Sequence, residues 1–373
     1  MGYVAVKGGT DAIHNSQLLL EFYRLKDATS PLDINQIKAQ LRMAVDKVMG
    51  EGGLYAPEYA AIAIKQAEGE VFEAAFIIRA FRATLQRKYY SEAIDTREMF
   101  VKRKISASFR EIPGGQVLGP TRDYTQRMLD TTKATETDEQ MQEFLSEFLS
   151  GIDKEKLKEI SRYAKVIDLL KNEGLLQPTD PHEDRTLKDI TREAIRFPAP
   201  RSARLQMLSR AETGGLMSLG YANMRGFGSV HPTVGELRYG SVPVRVKDAT
   251  GRQRYIGKIE VTEAETISST KTKKKNTPPY YTIGYGLCFG QNDTKAICMG
   301  ILDTAMRTDS NLPANDQEFI LYHTEGVEAM GFVNHLKLPH YVTFQADLSN
   351  TRAAIDRTTQ HESAPQPEQL QSV

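Results

Sequence analysis

The chain has 373 residues, 40% hydrophobic and 26% charged, the proportions of a globular protein with chain enough for one large domain or two to three ordinary ones. Its 48 Lys and Arg balance 48 Asp and Glu, so bulk charge gives no reason to expect nucleic acid or an anionic membrane as a partner. Two cysteines, Cys288 and Cys298, lie outside any Cys-x-x-Cys spacing; they exclude a four-thiolate iron–sulfur or zinc site built by this chain alone and suit a reducing compartment.

The first residues lack a positive segment followed by a long apolar run, and no stretch is long and apolar enough to span a bilayer, which predicts a cytoplasmic protein. Tyr3 to Val6 predicts a short strand, and Lys7-Gly8-Gly9-Thr10 a turn into a helix from about Asp11. Asp33 is the expected N-cap of a helix over 34–49, with Ile37, Leu41, Val45 and Val48 on one face and Gly50, Gly52 and Gly53 ending it. Phe72, Phe76, Ile77, Phe81 and Leu85 recur at helical spacing and read as core. Residues 105–116 are irregular, and 131–177 are charged and helical.

From Phe197 the chain is richer in Gly, Pro and Arg. Val242, Val244 and Val246 alternate as in a half-buried strand, 248–251 form a turn, and 255–261 are the return strand. Residues 271–275 form a basic loop, 285–289 a strand, and 294–306 a helix capped by Asp293. The order predicts an α+β fold, with a helical N-terminal half and a mixed, mainly antiparallel sheet in the C-terminal half. The expected regions are 1–130 with a candidate catalytic loop at 112–124, a helical insertion at 131–196, an α+β region at 197–359, and a disordered tail at 360–373.

Chemistry-bearing residues gather in a few segments. Ile112-Pro113-Gly114-Gly115-Gln116-Val117-Leu118-Gly119-Pro120 sets a sharp backbone, followed at once by Arg122, Asp123 and Tyr124. Arg201, Arg204, Arg210 and Arg225 could face phosphates, since a guanidinium fork matches phosphate oxygens; an exposed arginine face is the alternative. His231-Pro232-Thr233-Val234-Gly235-Glu236-Leu237-Arg238 offers an acid/base pair with a phosphate clamp, or a salt-bridged loop. In His335-Leu336-Lys337-Leu338-Pro339-His340, Pro339 should stop a helix so that both imidazoles can converge on one metal; two histidines that only hydrogen-bond at a packed helix end are the alternative. Two ligands are too few for a closed zinc site, so the remainder must come from elsewhere.

Tyr3-Val4-Ala5-Val6-Lys7-Gly8-Gly9, the segment from Ile112 to Thr121, Ser202-Ala203-Arg204-Leu205-Gln206, His231-Pro232 with Gly235-Glu236, Gly284-Tyr285-Gly286-Leu287 and His335 to Tyr341 together resemble the PhnI family, collinearly from end to end. Ile283 stands where the family pattern leads one to expect arginine. The resemblance implies a subunit of the bacterial carbon–phosphorus lyase core complex, with PhnG, PhnH and PhnJ partners and ABC-type ATPase subunits. It implies displacement of the purine of ATP or GTP by an alkylphosphonate to give ribose 1-alkylphosphonate 5-triphosphate, with nucleosidase activity alone. It also implies a zinc ion held by His335 and His340 and shared with a partner subunit. A non-catalytic subunit lending zinc ligands to a partner's active site is the alternative.

Purine displacement passes through an oxocarbenium-like state at C1′. It calls for an acid at the base, negative charge at the ribose and cations on the triphosphate. By residue type and clustering, Glu236 or Asp123 is expected near the ribose and His231 as the acid. Arg122, Arg204 and Arg238 are expected on phosphates, with Gln116 beside them.

Overall fold

The structure is a computed structural model that describes residues 9–152, 163–176, 187–269 and 279–362. The expected strand at Tyr3–Val6 and the basic loop at 271–275 lie outside the described residues. The chain divides into two units, 1–31 with 328–373, and 32–327.

In the larger unit, helices α2 (Ile34–Gln40), α3 (Arg42–Gly52), α4 (Pro57–Gln66) and α5 (Val71–Thr84) bury Ile37, Val45, Val48, Ala60, Ile64 and Ile78 against one another. They follow α1 (Thr10–Leu25) of the smaller unit. Asp33 caps α2 as its position predicts, its carboxylate accepting from Asn35 N at 2.8 Å and Gln36 N at 3.1 Å. The single helix expected over 34–49 is two: Leu41, at φ −104° and ψ 31°, leaves the helical region and breaks the hydrogen-bond ladder.

After β1 (Phe100–Ile105) come α6 (Asp138–Ser150), α7 (Val166–Asn172), α8 (Arg201–Arg210) and α9 (Thr213–Ala222). Strands β2 (Thr233–Lys247), β3 (Gln253–Ser269) and β4 (Tyr281–Phe289) follow, then α10 (Asp293–Ala305), α11 (Gln317–His323), α12 (Gly326–His335) and α13 (Tyr341–Glu362). The class is α+β, with one four-stranded sheet in the order β1-β2-β3-β4 and every ladder antiparallel. β1 comes from a stretch with no strand signal: in Phe-Val-Lys-Arg-Lys-Ile, cations occupy both faces and hide the period of two. The cap of α10 is Asn292, whose Oδ1 accepts from Lys295 N at 3.0 Å; Asp293 is the first helical residue. α13 runs through Glu362, so 360–362 are helical, and 363–373 lie outside the described residues.

The sheet has two unlike faces. On one, Leu237, Ala264 and Cys288 pack on Ala296, Met299 and Leu302 of α10. α10 lies so close to β4 that a Cβ on Gly284 would sit 2.0 Å from Gly300 O, and one on Gly286 2.1 Å from Ala296 O. That approach accounts for the Gly-Tyr-Gly spelling. The other face is apolar at one end, around Met99, Val242 and Val261. At its other end it buries charge.

Candidate active site

Alternation along β2 puts Glu236 and Arg238 on one face, and alternation along β3 puts Glu263 and Glu265 beside them. Register then pairs Glu236 with Glu265 and Arg238 with Glu263, while Lys104 of β1 pairs with Arg238. His231, Pro232 and Gly235 suggested a loop around Glu236; instead the strand begins at Thr233 and absorbs Gly235 at a bulge between Val234 and Glu236. Residues 163–166, which lead into α7, cover the group. Lys165 Nζ reaches Glu263 Oε1 at 3.0 Å and also contacts Glu265. Val166 N donates to Glu236 Oε2 at 3.2 Å, and Lys104 Nζ to Ala164 O at 3.4 Å. Gly114, at φ 76°, admits the Tyr163 ring, which a Cβ there would overlap at 1.8 Å.

All these ionic side chains are buried; Glu236 is 2% and Glu265 5% exposed. Such burial is tolerable only where charges are paired and hydrogen-bonded. Glu263 meets that condition fully. Arg238 grips it through Nε and a second guanidinium nitrogen, Thr96 Oγ1 donates at 2.7 Å and Tyr285 OH at 3.0 Å. Burial alone would raise the Glu263 carboxyl, but Arg238, Lys165 and the hydrogen bonds overturn it and hold the group at about 2. Glu265 is the reverse case: burial raises it, Lys165 only partly opposes, Glu263 adds repulsion, and it stands at about 7. Burial pushes the Lys104 amine down, against the pull of Glu236, and pushes the Tyr285 phenol up.

Other candidate residues lie apart from this group. Asp123 pairs with Arg103, which points to the opposite sheet face and also holds Asp293 at 3.0 Å. Thr121 and Arg103 hold the Asp123 carboxyl below its usual range despite some burial. Gln116 staples its own loop, accepting from Ser106 N at 3.2 Å and donating to Phe109 O and Arg110 O. Arg204 donates to Ala199 O at 2.8 Å just ahead of α8. Arg122 is exposed. His231 is exposed ahead of β2, five residues before Glu236, or about 16 Å along an extended chain. The structure thus brings Glu236 and Arg238 together, and His231, Asp123, Arg122, Gln116 and Arg204 with neither.

Lys104, Lys165, Glu263 and Glu265 were not among the residues singled out from the sequence, and Tyr285 was named only within the Gly284–Leu287 segment. The signal that could have found the glutamates is Val261-Thr262-Glu263-Ala264-Glu265-Thr266-Ile267, a strand-forming run with carboxylates at alternate positions. Lys104 and Lys165 carry no comparable local signal.

In the smaller unit, α12 ends at His335 and α13 begins at Tyr341, so Pro339 lies between helices. The imidazole centroids of His335 and His340 are 5.4 Å apart. Each Nδ1 faces a backbone carbonyl, Phe332 O for His335 and Leu338 O at 2.6 Å for His340. Those contacts fix the proton on Nδ1 and leave Nε2 free to bind a metal. Among the described residues no group of three or more His, Cys, Asp or Glu side chains could hold a metal ion, so any metal on this pair takes its other ligands from outside them.

Residues 2–358 match the bacterial phosphonate metabolism protein (PhnI) family. The chain belongs to the PhnI family. It is 44% identical over 366 residues, 96% of this chain and 97% of the relative, to the putative C-P lyase subunit protein HtxH of Stutzerimonas stutzeri. It is 44% identical to the α-D-ribose 1-methylphosphonate 5-triphosphate synthase subunit PhnI of Rhizobium meliloti strain 1021, over 94% of each chain. To the Escherichia coli K12 subunit of the same name it is 42% identical, over 93% of this chain and 96% of that one. In this PhnI-family chain the Ile112–Thr121 segment is a brace on β1: Pro113 O accepts from Lys104 and Leu118 O from Arg103. Where arginine was expected at Ile283, the Ile283 carbonyl accepts from Arg307 at 2.6 Å. No helix among the described residues is long and apolar enough to cross a membrane.

Proposed function

We propose that this chain is the subunit of a ribose 1-methylphosphonate 5-triphosphate synthase at which the purine of ATP or GTP is displaced from C1′ by an alkylphosphonate. The reading rests on end-to-end similarity to two subunits bearing that name. The observation that carries the chemistry is the buried group of Glu236, Glu263 and Glu265 with Lys104, Lys165 and Arg238. Carboxylates in a water-poor site stabilise positive charge developing at C1′ far more than they would in water. On this reading Glu236 lies near the ribose, and Arg238 keeps Glu263 ionised rather than meeting a phosphate. PhnG, PhnH and PhnJ are the proposed partners, with ABC-type ATPase subunits recruited to the complex.

A zinc ion fits His335 and His340, whose Nε2 atoms are free, with a partner or substrate completing the shell. When bound it would polarise an oxygen of substrate. The position of this pair, His335 half-buried and His340 exposed, favours a second reading, in which the chain is non-catalytic and lends zinc ligands to a partner's active site.

The purified chain, incubated with ATP or GTP without partners, is expected to release free purine slowly, as read by chromatography. Release of phosphate with the N-glycosidic bond intact sinks the first reading. A chain silent alone, whose complex loses zinc and activity together on His340→Ala, supports the second.

A further inference from the structure

Of the three carboxyls in this group, only Glu263 has every oxygen supplied with donors. Glu265 has Lys165 on one oxygen, while Oε2 receives no hydrogen bond. Glu236 has Val166 N on Oε2, while Oε1 receives none, Lys104 Nζ standing off at 3.5 Å. These two residues are register partners across β2 and β3, a separation at which opposed side chains meet. Two orphaned oxygens that both only accept are costly in a buried site. A proton on Glu265 Oε2 would turn one of these two acceptors into a donor.

We propose that Glu265 is the acid that protonates the departing purine, with Glu236 as the carboxylate that holds its proton in place between turnovers; this rests on the purine-displacing reading above. The proton passes from Glu265 Oε2 to a ring nitrogen as the C1′–N bond breaks and its electron pair goes to the base. A phosphonate oxygen bonds to C1′. Glu265 is left as a carboxylate and takes a proton from solvent before the next cycle. Tyr163–Val166 covers the pair, so the bonds of Lys165 and Val166 N to the glutamates must open for the nucleotide to enter. His231, exposed ahead of β2, has no recorded contact with this group among the described residues.

The charged and titratable groups facing Glu265 are Glu236 and Arg238 of β2, Glu263 of β3, Tyr285 of β4, Lys104 of β1, Lys165 of the cover and Arg97. They leave the carboxyl protonated up to about 7, so purine release should fall as pH rises through that value.

The test is purine release from ATP by the chain with its co-purified partners, between about pH 5 and 9. Glu265→Gln is expected to lower kcat by about 10²–10⁴-fold, the usual worth of an acid–base group. KM should stay within a few-fold and the falling alkaline limb should vanish, with folding checked by thermal denaturation. Glu265→Asp should keep a limb at a shifted pH. Independently, ¹³C-carboxyl NMR of Glu-labelled protein should show one resonance titrating near 7 that is missing in Glu265→Gln. A limb that survives in folded Glu265→Gln, or is lost instead in His231→Gln, overturns this assignment while leaving the reaction intact. A wild-type complex that releases no purine overturns both.

Discussion

The two faces of the sheet solve burial in opposite ways. Under α10, Leu237, Ala264, Cys288, Met299 and Leu302 pack into one apolar cluster, and glycines on β4 bring the backbones together. Beneath residues 163–166, the same strands bury six charged side chains whose stability depends on each finding its partner. An apolar face tolerates local imperfection at a cost set by lost contacts. A charged one fails when a single partner is removed. Ion clusters of this kind are weak evidence for stability as such, which favours a chemical reason for keeping this one.

The comparison breaks most sharply at Arg238. Arg238→Met should cost about 3–5 kcal/mol in urea unfolding, because it strands Glu263 in the interior. Arg238→Met combined with Glu263→Leu should recover much of that loss; a double variant no more stable than the single one would place the cost in packing. On the other face, Gly286→Val should cost about 3 kcal/mol, since Ala296 O is backbone and cannot step aside. No second-site charge change should rescue it.

Titration sharpens the contrast within the charged face, because two neighbouring carboxyls act with opposite sign. Glu265 is raised from 4.5 to about 7. Its contribution is fully present below about 4.5 and is lost as pH rises through about 7, so Glu265→Gln should flatten that decline. Glu263 is lowered from 4.5 to about 2. Its contribution is present above about 4.5 and is lost as pH falls toward 2, so Glu263→Gln should flatten the acid limb. Each limb is worth on the order of 3 kcal/mol by linkage, and thermal denaturation across pH 2–8 reads both. The smallest effect is expected from Tyr285→Phe, about 1 kcal/mol, because Glu263 keeps its other donors when the phenol is gone.

Local signals were the ones that could be read along the chain. Asp33 caps α2, Val242, Val244 and Val246 lie within β2, and the run to Phe289 is a strand, because caps and alternation act over a few residues. The break at Leu41 and the strand Phe100–Ile105 escaped that reading. One depends on a single residue's backbone angles; the other has its period masked by Lys102, Arg103 and Lys104.

By itself the sequence determined the α+β class, the family and the segments that punctuate the chain, since each is written in short-range pattern or in the collinear order of motifs. Tertiary structure alone decided which residues gather around Glu236 and Arg238 in the candidate site. Lys165 meets Glu263 across 98 residues of chain, and Glu236 faces Glu265 only because the β2–β3 register, bulge included, sets them opposite each other. A slip of one residue would turn those carboxylates to the α10 face. No spacing along the chain encodes that choice; it is made where strands pair and buried charges must find one another.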